Sequence, residues 1–126
     1  MQDQPTPPEV LGAVALFLKN VVAAETTGAT SFQARVAANA LEMMKRDLEN
    51  SPADDAAELE RLRALLGHDG ALLDLNVELA EKIGAGELDL TTPGLKEHLW
   101  ATTMAKLAVD QPTYAAYRAS LAEGRG

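Results

Sequence analysis

Apolar residues recur along the chain at intervals of three and four, the spacing of one face of an α-helix. The clearest run is the first one, which contains Val10, Leu11, Val14, Phe17, Leu18, Val21 and Val22. Glycine or proline separates successive runs, and no stretch alternates apolar and polar residues as a strand does. The pattern therefore predicts an all-α fold, a single antiparallel helical bundle of about six helices.

Capping residues and breaks set the bounds of these predicted helices. Thr30 and Ser31 are cap candidates for the second helix, Pro52 separates it from the third, and Thr92–Pro93 opens the fifth. The predicted helices cover about 10–22, 32–49, 51–66, 71–84, 93–110 and 113–122. We expect one domain over residues 1–126, with an extended lead-in at 1–8 and a frayed tail at 122–126.

Composition narrows the classes of function. The chain has 126 residues, with 11 basic and 19 acidic side chains and a net charge of −8, so we expect neither nucleic acid nor an anionic membrane surface as a partner. It contains no cysteine, which excludes disulfides, thiolate nucleophiles and cysteine-ligated metals. The N-terminus carries no basic residue before Lys19 and therefore does not resemble a signal peptide. These observations predict a cytoplasmic protein.

The short motifs do not indicate catalysis or a cofactor. Gly84-Ala85-Gly86 lacks the preceding strand of a dinucleotide motif and is typical of a helix end. His68 and His98 lie 30 positions apart, and neither follows a glutamate by three residues as in di-metal bundles. We therefore predict solvated histidines, no metal site, no cofactor and no catalytic residue.

Two polar strips are candidates for binding a ligand or partner. In the second predicted helix, Arg35, Asn39, Glu42 and Arg46 lie along one edge of an apolar stripe formed by Phe32, Val36, Ala40 and Met43. This edge is either a solvated rim or a surface on which Arg35 presents its guanidinium to an anion. In the fifth helix, Thr102, Thr103, Lys106 and Asp110 share a strip with Leu95 and Leu99. Lys106 and Asp110 form either a surface ion pair or part of a polar pocket between helices.

Asn76 is the polar residue least expected from its position. It falls within the apolar arc of the fourth predicted helix, among Leu72, Leu75, Leu79, Ala80 and Ile83. A buried amide without partners costs about 1–3 kcal/mol, so it should hydrogen-bond to a neighbouring helix end, a loop carbonyl or a polar strip. We predict a structural role for Asn76, since a single buried amide can fix helix register.

Three segments resemble a known family: FQARVAANAL (32 to 41), LNVELAEKIGAGELD (75 to 89) and HLWATTMAKLAVDQPTYAAY (98 to 117). They are similar to an uncharacterised bacterial family of small all-helical domains of unknown function. The resemblance implies an association with aminoglycoside-phosphotransferase-like kinases and acyl-CoA dehydrogenases, because members are often encoded beside them or fused to them. The resemblance implies no activity. The matching segments and motif positions include Arg35, Asn39, Asn76, Thr102, Thr103, Lys106 and Asp110.

Two functions follow as hypotheses. The first is a non-catalytic accessory domain that binds an acyl-CoA dehydrogenase or a phosphotransferase-like kinase. The alternative is a binder of a small molecule, an acyl-CoA or phosphorylated acyl compound, or a weak enzyme that uses a polar strip between helices. Leucines on nearly all sides of the fourth and fifth helices also predict a homodimer.

Overall fold

The computed structural model describes residues 4–124, and this part of the chain is 79% helical, without strands. Its five helices are α1 (Pro7–Glu25), α2 (Gly28–Leu66), α3 (Leu72–Gly84), α4 (Leu95–Asp110) and α5 (Ala115–Ala122). The all-α prediction is confirmed, although the described residues form five helices rather than about six. The antiparallel bundle stays a prediction.

The difference in helix number arises at Pro52, where a break was expected. α2 continues through this proline, so the second and third predicted helices are one helix of 39 residues. An internal proline removes one backbone hydrogen bond and crowds the carbonyl four residues before it, but these costs can be offset when helix formers continue on both sides. The alanine, glutamate and leucine residues of 53–62 supply such a continuation. The helix also begins earlier than predicted, at Gly28 rather than Phe32.

The chain divides into two compact units, Met1–Ser51 and Pro52–Gly126. α1 and the first part of α2 belong to the first unit, whereas the rest of α2 and the three later helices belong to the second. The single domain expected over residues 1–126 stays a prediction.

α1 begins with a capping box and contains a π-helical turn. Thr6 accepts a hydrogen bond from the backbone of Glu9, whose side chain accepts one from Thr6. Pro7 and Pro8 therefore lie in the first helical turn, where proline is well tolerated, and not in the extended lead-in predicted for 1–8. Residues 1–3 of that lead-in, and residues 125–126 of the predicted tail, lie outside the described residues.

Small side chains fill the interior of the first unit. The buried residues are Ala15 and Ala23 of α1 together with Ser31, Ala34 and Ala38 of α2. In a regular α-helix, residues eight apart would point about 80° away from each other around the axis. The π-helical turn at Leu18–Val22 takes more residues per turn and brings Ala15 and Ala23 towards the same face. The backbones of two helices can approach closely where only alanine and serine separate them.

A leucine cluster forms the core of the second unit. Leu62 of α2, Leu75 and Leu79 of α3 and Leu95 of α4 are each at most 4% exposed, and five further leucines pack against them. Full burial of a leucine side chain contributes about 1.5–3 kcal/mol, so this cluster is the main apolar contribution to the stability of the unit.

Glycines end the helices around this core. α2 stops before Gly67, which has a φ of 77°, and α3 is followed by Gly86 with a φ of 78°. Both conformations are left-handed and favour glycine, so the prediction that these residues terminate helices is confirmed. α4 begins after Gly94 rather than at the predicted Thr92–Pro93 pair, because Gly94 itself takes the N-cap position with a φ of 86°.

Candidate functional site

A polar seam crosses the second unit between α2 and α4. Arg61 donates from Nε to Nδ1 of His98 at 3.1 Å and from Nη2 to Oγ1 of Thr102 at 3.3 Å. His98 is 2% exposed, whereas Arg61 and Thr102 are half-buried. The guanidinium is thus held between two side chains that are one helical turn apart on α4.

His98 accepts the Arg61 hydrogen bond as a neutral imidazole. Burial lowers the pKa of His98 below its usual 6.5, the positive charge of Arg61 lowers it further, and Glu58 partly opposes this shift. Because Nδ1 receives the hydrogen bond, the ring proton belongs on Nε2. The prediction of a solvated histidine is therefore wrong for His98. It holds for His68, whose side chain is 51% exposed and bonds Glu78 at 2.9 Å.

Asn76 bonds to the same segment of α2 that carries Arg61. Its Nδ2 donates to Oε1 of Glu58 at 3.0 Å and to the carbonyl of Leu72, one turn back in α3, at 3.1 Å. The residue is half-buried rather than fully buried. Its partner is a carboxylate, whereas the sequence suggested a helix end, a loop carbonyl or a polar strip. The contact to Glu58 ties α3 to α2, as the predicted structural role requires.

The predicted strip on α4 divides into a bonded part and an exposed part. Thr102 bonds to Arg61, whereas the hydroxyl of Thr103 donates to the carbonyl of Leu99 within the same helix. Lys106 and Asp110 are exposed, and no ion pair joins them in the part of the chain that the structure describes. Of the four predicted residues, only Thr102 contacts another helix through these side-chain hydrogen bonds.

The predicted edge of α2 belongs to the first unit, whereas the strip on α4 belongs to the second. Arg35 is exposed and donates to Ser31 Oγ at 2.9 Å, and Ser31 in turn donates to the carbonyl of Ala23. Asn39 is exposed, while Glu42 pairs with Lys19 of α1 at 2.8 Å. Glu42 of this edge therefore connects α2 to α1 directly, whereas Arg35 is linked to α1 only through Ser31.

A charged cleft of about 600 Å³ follows the same edge. It is lined by Glu9, Gly12, Ala13, Leu16, Glu42, Lys45, Arg46 and Glu49. The ammonium of Lys45 would lie 3.3 Å from a Cβ atom placed on Gly12, so the missing side chain makes room for it. Charges of both signs line the cleft. Two of its lining side chains, Lys45 and Glu49, pair with each other at 3.9 Å, and Glu42 pairs with Lys19 of α1.

The first unit exposes most of its large apolar side chains. On α1 they are spaced as one stripe, Val10, Val14, Phe17 and Val21, which are 38–55% exposed. On α2 the stripe of Phe32, Val36 and Met43 is 67%, 51% and 37% exposed. Both stripes lie away from the small residues that the unit buries. An apolar stripe is ordinarily the buried face of a helix, and here it forms an exposed apolar surface.

α1 also meets a criterion for membrane helices. Pro7–Glu25 is long and apolar enough to cross a membrane by length and composition, with a mean hydropathy of 1.3 over its best window. Core helices of soluble proteins and N-terminal signal sequences meet the same criterion, so this is weak evidence. Within residues 4–124, no three histidine or acidic side chains are grouped so as to hold a metal ion.

A comparison with known protein families assigns the chain to one family. Residues 24–114 match the family described as Domain of unknown function (DUF6285), which is most of the chain. The chain therefore belongs to this family, in agreement with the resemblance to an uncharacterised family. No curated protein and no solved structure matches it.

Arg61 and His98 were not predicted from the sequence as interacting residues. His98 lies three residues after the buried Leu95 and four before Thr102, which is the spacing of one helical face. That spacing could have placed His98 on the inner side of α4. Nothing in the local sequence of Arg61 identifies its partner, because His98 is 37 positions away.

Proposed function

We propose that the chain is a non-catalytic accessory domain that binds a partner protein through the exposed apolar stripes of its first unit. The observation that carries this proposal is the exposure of Phe32, at 67%, and of Phe17, at 55%. Contiguous apolar patches on a monomer surface are typical of interaction sites. Aromatic side chains also dominate the energetics of many interfaces, because they bury a large area with few rotatable bonds.

The proposed partner is an enzyme encoded beside the chain, an acyl-CoA dehydrogenase or an aminoglycoside-phosphotransferase-like kinase. The resemblance to the family supports this choice of partner. The spacing of the stripes supports the binding mode, since anchors at i, i+4, i+7 and i+11 fit an apolar groove on a partner. Arg35 lies on the edge beside the α2 stripe and offers a polar rim contact.

Light scattering after size-exclusion chromatography tests the proposal. The purified chain is mixed with each of the two enzymes from its own genome, and we expect one of them to elute as a stoichiometric complex with it. The double variant Phe32→Ser/Val36→Ser should weaken binding at least about tenfold, because interface aromatic anchors commonly contribute 2 kcal/mol or more. The matched control is Leu73→Ser, which alters a 74% exposed leucine of α3 in the second unit and should leave binding unchanged.

The same instrument distinguishes a partner from a second copy. The monomer mass is 13.4 kDa, and the predicted homodimer would have twice that mass. Absence of a complex with either enzyme would overturn the proposal, as would equal loss of binding in the Leu73→Ser control. A dimer of the isolated chain that the double variant disrupts would assign the stripes to self-association instead.

A further inference from the structure

Arg61 is a half-buried cation that contacts neutral acceptors. Both of its side-chain hydrogen bonds go to uncharged groups, the ring nitrogen of His98 and the hydroxyl of Thr102. Among residues 4–124, no carboxylate lies at ion-pair distance from its guanidinium. Arginines withdrawn from water are ordinarily paired with a carboxylate or phosphate. The contrast with Arg63, which contacts both Asp69 and Glu60, shows that the same helix does pair an arginine where acids are available.

The two contacts fix the orientation of the Arg61 guanidinium. A guanidinium carries five N–H donors in one plane, and His98 and Thr102 receive two of them. His98 is itself held by burial, at 2% exposed, so it acts as a positioning residue for Arg61. A guanidinium held in this way loses less side-chain entropy when its remaining donors bind a ligand.

Lys106 is a second cationic side chain, on the α4 face that carries Thr102. It lies one helical turn beyond Thr102 on α4, and residues four apart share a helix face. Its side chain is exposed, and it forms no ion pair within the described part of the chain. Arg61 therefore offers a fixed fork, and the α4 face that it contacts carries the hydroxyl of Thr102 and, one turn further along, the ammonium of Lys106.

We propose that Arg61, Thr102 and Lys106 bind the oxyanion of a small molecule, a carboxylate or a phosphate group. Planar forks of N–H donors match both groups, and a charge-assisted hydrogen bond is about twice as strong as a neutral one. The second unit has more acidic than basic side chains, so its overall field does not attract anions, and binding depends on these local contacts. The inference does not rest on the proposed function, because the stripes and the seam are in different units.

Titration of the full ¹⁵N-labelled chain with inorganic phosphate, followed by NMR, tests this site. We expect the Arg61 Nε–H signal and the Thr102 amide to shift with a saturating curve. A parallel titration with acetate separates carboxylate from phosphate preference, and sodium chloride at matched ionic strength controls for screening. Saturating shifts with either oxyanion support the site. Linear shifts of equal size in all three salts would overturn it.

Variants locate the binding to the seam. Lys106→Gln should weaken the affinity about tenfold while leaving the melting temperature unchanged, since the side chain is exposed. Arg61→Lys should also weaken it, because a lysine keeps the charge but not the fork. The control is Arg63→Gln, which removes a guanidinium that already contacts two acids and should retain binding. Equal loss in Arg63→Gln and Lys106→Gln would show general electrostatics and contradict the assignment.

Discussion

The two units of this chain use apolar residues in opposite ways. The second unit buries leucines, and Leu62 and Leu75 are at most 1% exposed. The first unit buries alanines and a serine, while its phenylalanines are more than half exposed. Large side chains on the surface contribute little to the stability of the chain alone, yet they are available to a partner. The comparison indicates that the second unit supplies most of the apolar stability, whereas the first presents exposed apolar side chains, which we propose as the binding surface.

The largest expected effect comes from truncating the leucine core. Leu62→Ala should lower the free energy of unfolding by about 2–5 kcal/mol, because it removes a fully buried side chain and leaves a cavity. Urea unfolding followed by circular dichroism measures this change. Leu73→Ala, at a 74% exposed position, should change the same quantity by less than about 0.5 kcal/mol. Similar losses in the two variants would remove the contrast between core and surface leucines.

Enlarging a buried alanine tests the first unit. Ala38 is 0% exposed, so Ala38→Leu should destabilise the chain by about 1–3 kcal/mol through overpacking between helices. Ala37→Leu, one position along and exposed, is the matched control and should be nearly neutral. The same urea unfolding measures both. A neutral Ala38→Leu would mean that α1 and α2 are not closely packed at this position.

The buried imidazole of the seam predicts a dependence of stability on pH. The pKa of His98 is lowered in the folded chain, by burial first and by Arg61 second, relative to the usual 6.5. The unfolded chain therefore binds more protons, so this contribution to stability is complete above pH 6.5 and is lost as the pH falls below it. The slope is at most about 1.4 kcal/mol per pH unit for one proton. Unfolding of the parent and of His98→Asn between pH 5 and 7.5 measures it.

Titration of His68 changes stability with pH in the opposite sense to titration of His98. His68 is therefore substituted before the effect of His98 is measured. Its pKa is raised, by the Asp69 carbonyl first and by Glu78 second, so its contribution is present below 6.5 and is lost as the pH rises through the folded value. In a His68→Gln background, the loss of stability on acidification should therefore be steeper. A slope that His98→Asn leaves unchanged would contradict the buried, neutral state of His98.

The smallest effect is expected at Asn76. Asn76→Ala removes the donor to Glu58, but both residues are half-buried and water can replace the amide. We expect a loss of about 0.5–1.5 kcal/mol, near the net value of one hydrogen bond. Phosphate affinity at the seam should stay unchanged in this variant. An affinity reduced as much as in Lys106→Gln would make Asn76 part of the binding site rather than a structural residue.

Some helix ends could be predicted from local chemistry, although the caps expected at Thr30–Ser31 and Thr92–Pro93 were wrong. Gly67 and Pro112 ended or separated helices as expected, because a left-handed glycine or a missing N–H acts within one turn. Pro52 does not end a helix, because the effect of an internal proline depends on whether the helix on both sides is stable enough to continue. The strength of that continuation is a property of the whole of α2 and its packing.

Periodicity predicts which residues share a helix face, but it does not decide which face is buried. Periodicity identified the stripe containing Phe32 and Val36, but not that α2 would turn Ala34 and Ala38 inwards instead. Two faces of one helix can both carry apolar residues at helical spacing. Close packing of small residues can then bury the less hydrophobic of the two faces. The seam was missed for a related reason, because the contact between Arg61 and His98 depends on the arrangement of α2 and α4.

Hydroxyl-radical footprinting with mass spectrometry tests the central claim most directly. In the free chain at low concentration, the exposed Phe17 and Phe32 should be oxidised, whereas the buried Leu62 and Leu75 should be protected. Addition of the enzyme that forms a complex should protect both phenylalanines and leave Trp100 of the second unit, at 42% exposure, as reactive as before. Protection of Phe17 and Phe32 in the free monomer, or their unchanged oxidation within the complex, would contradict the account.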